Sequence, residues 1–136
     1  MPAAQPETLL AFDFGTRRIG VAVGNSLTGG ARPLEVIEEP VVDRRFERIR
    51  RVLEDWAPQR LVVGRPTLED GTPGPTTALA ERFARQLHGR FGLPVEMVDE
   101  RFSSLEAQSE LGRNAVDDAQ AAAIILRQYL DEHRHP

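Results

Sequence analysis

Two apolar runs, Thr8–Phe14 (TLLAFDF) and Ile19–Val23, stand on either side of Gly15-Thr16-Arg17-Arg18. Short apolar runs flanking a turn read as a hairpin of buried strands. The rest of the fold has to be built on that hairpin. Asn25–Arg32 is polar and Gly-rich, hence a loop, and Pro33–Ile37 reads as a third strand. The period then changes. Val42, Phe46, Ile49, Leu53 and Trp56 fall on one helical stripe, which Pro58 ends. Leu61–Val63 is a strand and Glu69–Pro75 a surface loop. A second helix begins near Thr77, with Leu79, Phe83 and Leu87 in register, and closes at Gly89 or Gly92. Val95–Val98 is a fifth strand. Ser103 and Glu106 form a capping box that opens a third helix. A last helix runs from about Val116 to Leu130 and turns Ala122, Ile125, Leu126 and Tyr129 inward. The order β-β-β-α-β-α-β-α-α predicts an α/β fold, a five-stranded mixed sheet flanked by helices. With 136 residues the chain reads as a single domain, 1–136, with 1–7 and 132–136 as flexible tails.

Composition narrows the function. There is no cysteine, which removes disulfides and thiolate metal sites. The segment before Thr8 has no basic region and no long apolar run, and Ala121–Leu126 is too short to span a bilayer. A cytoplasmic protein without membrane contact is the expectation. Seventeen basic residues, all arginine, stand against 21 acidic ones, for a net charge of −4. That balance argues against a protein whose affinity rests on many phosphate contacts, but leaves room for a local basic groove. Arg44, Arg45, Arg48, Arg50 and Arg51 flank the first helical stripe with Glu47 and Glu54 among them, so they read as a solvated face. His88, His133 and His135 lack partners at ligand spacing, and 133–135 reads as a frayed tail.

Three acids interrupt apolar segments. Asp13 lies inside the first strand, where a charge is costly unless it is paired or metal-bound. Glu100 ends the fifth strand, after Asp99. Asp118 lies in the first turn of the last helix, one turn before Ala122 and so on the same face. Three carboxylates without His or Cys favour hard cations, Mg²⁺ or Mn²⁺. Two such ions about 4 Å apart suit phosphodiester cleavage. Each acid also has a plainer reading. Asp13 can pair with Arg17 or Arg18, while Glu100, Asp117 and Asp118 can be ordinary helix-start acids. Asp117 and Asp118 compete for the third place.

The segments AFDFGTRRIGVAV (Ala11–Val23), VVGRP (Val62–Pro66), DERFSS (Asp99–Ser104) and DAQAAAIIL (Asp118–Leu126) resemble, in order, the motifs of the YqgF (RuvX) family, from about Leu9 to Leu130. The resemblance implies the ribonuclease H-like fold shared with the junction resolvase RuvC. It implies a nuclease acting on Holliday junctions or maturing the ends of pre-16S ribosomal RNA. It places Asp13, Glu100 and Asp118 as the catalytic and metal-holding acids, with Asp118 preferred over Asp117 by motif register. Thr16, Arg17, Arg101, Ser103 and Ser104 match motif positions near the scissile phosphate. The partner implied is structured RNA or branched DNA, with a homodimer needed for two cuts at a junction. This sequence departs from the family at Arg65, where Leu is common, at Asn25, where an acid is frequent, and in a short stretch between Leu111 and Asp118.

Two other readings remain. Asp13-Phe14-Gly15-Thr16 is similar to the phosphate-binding hairpin of actin-like ATPases and sugar kinases, but that fold needs two such domains. A non-catalytic nucleic-acid-binding module of the same fold would bind without cutting, yet need not keep a costly charge at all three acid positions.

Overall fold

The first strand, β1 (Thr8–Phe14), is buried from Leu9 to Phe12 because it is covered on both faces. A computed structural model describes residues 6–100 and 117–133. β1 pairs antiparallel with β2 (Arg18–Asn25), which sets Asp13 opposite Gly20, and β2 pairs antiparallel with β3 (Ala31–Glu38). On its other side β1 pairs in parallel with β4 (Arg60–Arg65), and β4 in parallel with β5 (Val95–Asp99). The sheet order is β3-β2-β1-β4-β5. The expected mixed five-stranded sheet is present; β1 keeps its expected bounds, and the other four strands end one or two residues beyond their apolar runs. Pairing continues past the apolar residues because backbone groups need partners whatever the side chain.

Alternation along β1 divides the core. Leu10 and Phe12 join Ile19, Val21, Leu61 and Val63 under α1 (Val42–Trp56) and α2 (Pro75–Phe91). Phe83 of α2 packs its ring 5.9 Å from Phe12, 4.8 Å from Phe14 and 6.0 Å from Phe46. Truncating a side chain in such a position costs about 3–5 kcal/mol. Leu9 and Ala11 face the other way, with Val62 and Val98, against Ile125, Leu126 and Tyr129 of α3 (Asp118–Glu132). All four residues expected inward on this helix are buried, with Ala119, Ala123 and Leu130 beside them.

Several expectations are corrected. Leu79 is 40% exposed, because α2 turns Ala80, Phe83, Ala84 and Leu87 to the sheet and leaves Leu79 at the stripe's edge. Gly92, at φ 70°, caps α2, and Gly89 lies inside the helix. Arg45 is not on a solvated face: only 6% exposed, it donates to the carbonyls of Thr16 (2.7 Å) and Glu39 (3.1 Å). Glu7 is tied down, donating its N–H to Ser26 Oγ at 2.7 Å and pairing with Arg60. At the other end, Glu132 lies within α3 and His133 stacks on Tyr129 with ring centres 3.9 Å apart. The helix expected from Ser103 lies outside the described residues.

Candidate active site

Leu9, Ala11 and Asp13 share the face of β1 that meets α3, so alternation alone aims Asp13 toward that helix. Two glycines bracket it. The first, Gly20, is its cross-strand partner; a Cβ there would run into the backbone carbonyl of Asp118. The missing side chain lets the first turn of α3 lie on β2, which brings Asp118 beside Asp13. The second, Gly64, follows Val63, itself paired with Phe12. A Cβ on Gly64 would stand 3.1 Å from Glu100 Cδ and 2.5 Å from Ile125 Cδ1. The Glu100 side chain therefore lies across β4, toward β1. Its N–H donates to the Arg65 carbonyl at 3.0 Å, which carries the ladder one residue past β5.

Electrostatics register this convergence. The Asp13 carboxyl is pushed up to about 7, first by burial, then by the negative charges of Glu100 and Asp118. Burial also raises Glu100. Among the described residues no basic side chain pairs with Asp13; Arg18 instead reaches Asp118 (3.7 Å) and Glu38 (3.8 Å). The ion pair that would have made Asp13 a structural residue is absent from that set. Nor do any three acids or histidines among the described residues close around one cation position. The charges of Glu100 and Asp118 both act on Asp13. The donor set fits a hard divalent cation: it is all oxygen, and Asp13 is driven toward its protonated form for want of a positive neighbour.

Asp117 and Asp118 part company here. Asp117 is exposed and caps α3, accepting the Gln120 N–H at 2.8 Å while Gln120 Oε1 accepts the Asp117 N–H at 3.1 Å. Asp118 is half-buried, and its charge reaches Asp13. Thr16 and Arg17 sit exposed in the β1–β2 turn, with the Thr16 carbonyl pinned by Arg45. Arg101, Ser103 and Ser104 lie outside the described residues. Sequence reasoning missed Arg18 and Arg45. The signal for Arg18 is the period of two: Arg18, Gly20 and Ala22 share a face, and Ala22 packs on Ala122 and Ala123 of α3. For Arg45 it is helical spacing, since 45, 49 and 52 form one buried row. The departure at Arg65 has a structural account: it bridges Glu81 (3.0 Å) and Asp99 (3.1 Å), tying α2 to the end of β5.

A five-stranded mixed sheet of this order with helices on both faces is the ribonuclease H-like fold, shared with solved RuvC-type structures. Thermus thermophilus RuvC in complex with a Holliday junction substrate superposes with a TM-score of 0.54 at 21% identity, covering 92% of this chain and 94% of that one. A fowlpox virus resolvase in complex with Holliday junction DNA gives 0.57 at 11% identity, covering 92% and 97%. At these identities the likeness is one of fold. The family model described as RuvX, Holliday junction resolvase, matches residues 7–132, and the chain belongs to that family. A relative from Bordetella avium, provisionally named pre-16S rRNA nuclease, is 62% identical over 125 residues, 92% of this chain and 95% of its own. One of the same name from Paraburkholderia phytofirmans is 53% identical over 135 residues, 96% and 92%. Among the described residues no helix is long and apolar enough to cross a membrane.

Proposed function

We propose that the chain is a divalent-cation-dependent phosphodiesterase that cuts structured nucleic acid in the cytoplasm, with the end of pre-16S ribosomal RNA as its principal substrate. The observation that carries this reading is the convergence of Asp13, Glu100 and Asp118, with Asp13 unpaired by any described cation. The relatives' name favours RNA; the family's description favours a four-way DNA junction, which would need two copies of the chain for two cuts. Mg²⁺ or Mn²⁺, when bound, supplies an acidified water for in-line attack and neutralises the leaving oxygen. Asp13, Glu100 and Asp118 would hold it, Asp13 as the carboxylate once its proton leaves. The exposed turn at Thr16 and Arg17 follows Asp13 along the chain and is proposed to receive the phosphate flanking the cut. Arg101, Ser103 and Ser104 are proposed to complete that side.

The test is cleavage of a pre-16S end RNA and of a four-way DNA junction in Mg²⁺, Mn²⁺ or EDTA, by wild type and Asp13→Asn. Metal-dependent cutting lost in the variant is expected, with the RNA preferred. Binding without any cutting would make the chain a non-catalytic module, and undiminished cutting by the variant would remove Asp13 from the site.

A further inference from the structure

Arg18 opens β2 on the face that carries Gly20, and its guanidinium lies between two carboxylates. Neither contact is of hydrogen-bond length: Nε stands 3.7 Å from Asp118 Oδ2 and Nη1 3.8 Å from Glu38 Oε2. Arg18 and Glu38 are well exposed, at 54% and 71%, and the Asp118 side chain is 40% exposed. At the far end of the sheet Arg60 does the opposite, holding Glu96 at 2.6 Å and Glu7 at 3.1 Å with a side chain only 29% exposed. Arg18 is a loosely held cation at the rim of an acidic cluster, where exposed pairs contribute little.

We propose that Arg18 is a phosphate-contacting residue that exchanges partners: in the empty site it partly neutralises Asp118, and in the loaded site it turns to the nucleic-acid backbone. This rests on the nuclease reading above. The charge balance gives the direction. A divalent cation on Asp118 repels the guanidinium and takes away the negative charge that held it. A phosphodiester arriving at the same rim offers two oxygens to the guanidinium's fork. The exchange leaves Arg18 with a new anion at the moment the old one is claimed. Arg18 thus competes weakly with the cation and contributes one phosphate contact that exists only when the cation is present.

Two binding measurements on the full chain test this, neither of them reading activity. Mn²⁺ titration by calorimetry, without nucleic acid, should give Arg18→Gln a dissociation constant about 2–5-fold lower than wild type, the equivalent of one exposed pair removed. Binding of the pre-16S end RNA is then measured against salt, in EDTA and in Ca²⁺ with the RNA checked intact. The slope of log affinity against log salt should be steeper for wild type in Ca²⁺ than in EDTA, by about 0.7–0.9. Arg18→Gln should show no such steepening, and Arg18→Lys should restore most of it together with wild-type Mn²⁺ affinity. Unchanged Mn²⁺ affinity with an unchanged slope in Arg18→Gln would make Arg18 a bystander. Weaker Mn²⁺ binding would make it a structural prop for Asp118. Either result overturns the proposal while wild type still cuts RNA. A wild type that binds no Mn²⁺ and cuts nothing would instead overturn the nuclease reading, and this one with it.

Discussion

At the N-terminal ends of β1 and β5, Glu7 and Glu96 close on Arg60, the Tyr129 hydroxyl donates to Glu96 at 2.7 Å, and His133 stacks on Tyr129 at 3.9 Å between ring centres. At the opposite ends, Asp13 and Glu100 face Asp118 across the start of the same helix, and among the described residues Arg18 pairs with Asp118 and Glu38 but with neither Asp13 nor Glu100. The same sheet and helix thus carry acids at both poles under contrary regimes. The hydrogen bond from Tyr129, with Arg60 behind it, holds the Glu96 carboxyl below its ordinary range, and burial with the neighbouring Glu96 charge lifts the Tyr129 hydroxyl to about 12. Burial and like charge lift Asp13 to about 7. Where the fold has arginine, tyrosine and histidine to hand, it satisfies its acids. Where it leaves them facing one another, a cation from solution is the natural partner.

The largest effect belongs to the unpaired pole. Gly20→Ala pushes a methyl into the Asp118 backbone and must lift the start of α3. We expect cleavage to fall by about 100-fold and stability by about 3 kcal/mol, checked by single-turnover rates and urea unfolding. Preserved cutting would show that Asp118 need not sit against β2.

The two poles should also respond to pH with opposite sign. Asp13 is raised in the folded protein, so without metal its contribution is fully present below its unfolded pKa of about 4 and lost as pH rises through about 7. Asp13→Asn should therefore gain on wild type as pH climbs from 4 to 8, on the order of 4 kcal/mol at most. Glu96 is lowered, so its contribution holds above the ordinary glutamate range and fades as pH falls through the folded value. Unfolding of both proteins across that range in EDTA checks the first sign. A flat difference between them would mean that Asp13 is solvated as in the unfolded chain.

Changes at the paired pole are smaller and should spare chemistry. Arg60→Met leaves Glu7 and Glu96 without their cation and should cost about 1–3 kcal/mol. Tyr129→Phe, which removes one hydrogen bond to Glu96, should cost about 1 kcal/mol. Cleavage rates for both should match wild type at a temperature where they are folded, and a rate loss in either would join the two poles into one functional unit.

How much of this was legible in the sequence follows the same division. Periodicity gave the strands and helices, because burial enforces it, and an acid within TLLAFDF stood out against its neighbours. Leu79 was misread because a stripe of large residues hides the small ones, Ala80 and Ala84, that face the core. The paired pole was invisible: Glu7, Arg60, Glu96 and Tyr129 are ordinary residues far apart in the chain, and only the parallel pairing of β1, β4 and β5 assembles them. Gly20, within an expected strand, and Gly64, just past one, carry no mark of their role in the sequence, since the close approach of α3 and of Glu100 that each permits is a tertiary fact. Arg45 resembled its four arginine neighbours until the Thr16 carbonyl gave it a place.

The central proposal is that Asp13, which no basic side chain among the described residues pairs, takes a divalent cation as its partner. Thermal unfolding at pH 8 with and without Mn²⁺, for wild type and Asp13→Asn, tests it most directly. The account predicts that Mn²⁺ raises the wild-type melting temperature in proportion to binding and that most of the rise is lost in the variant. An equal rise in both proteins, or none in wild type, would contradict it.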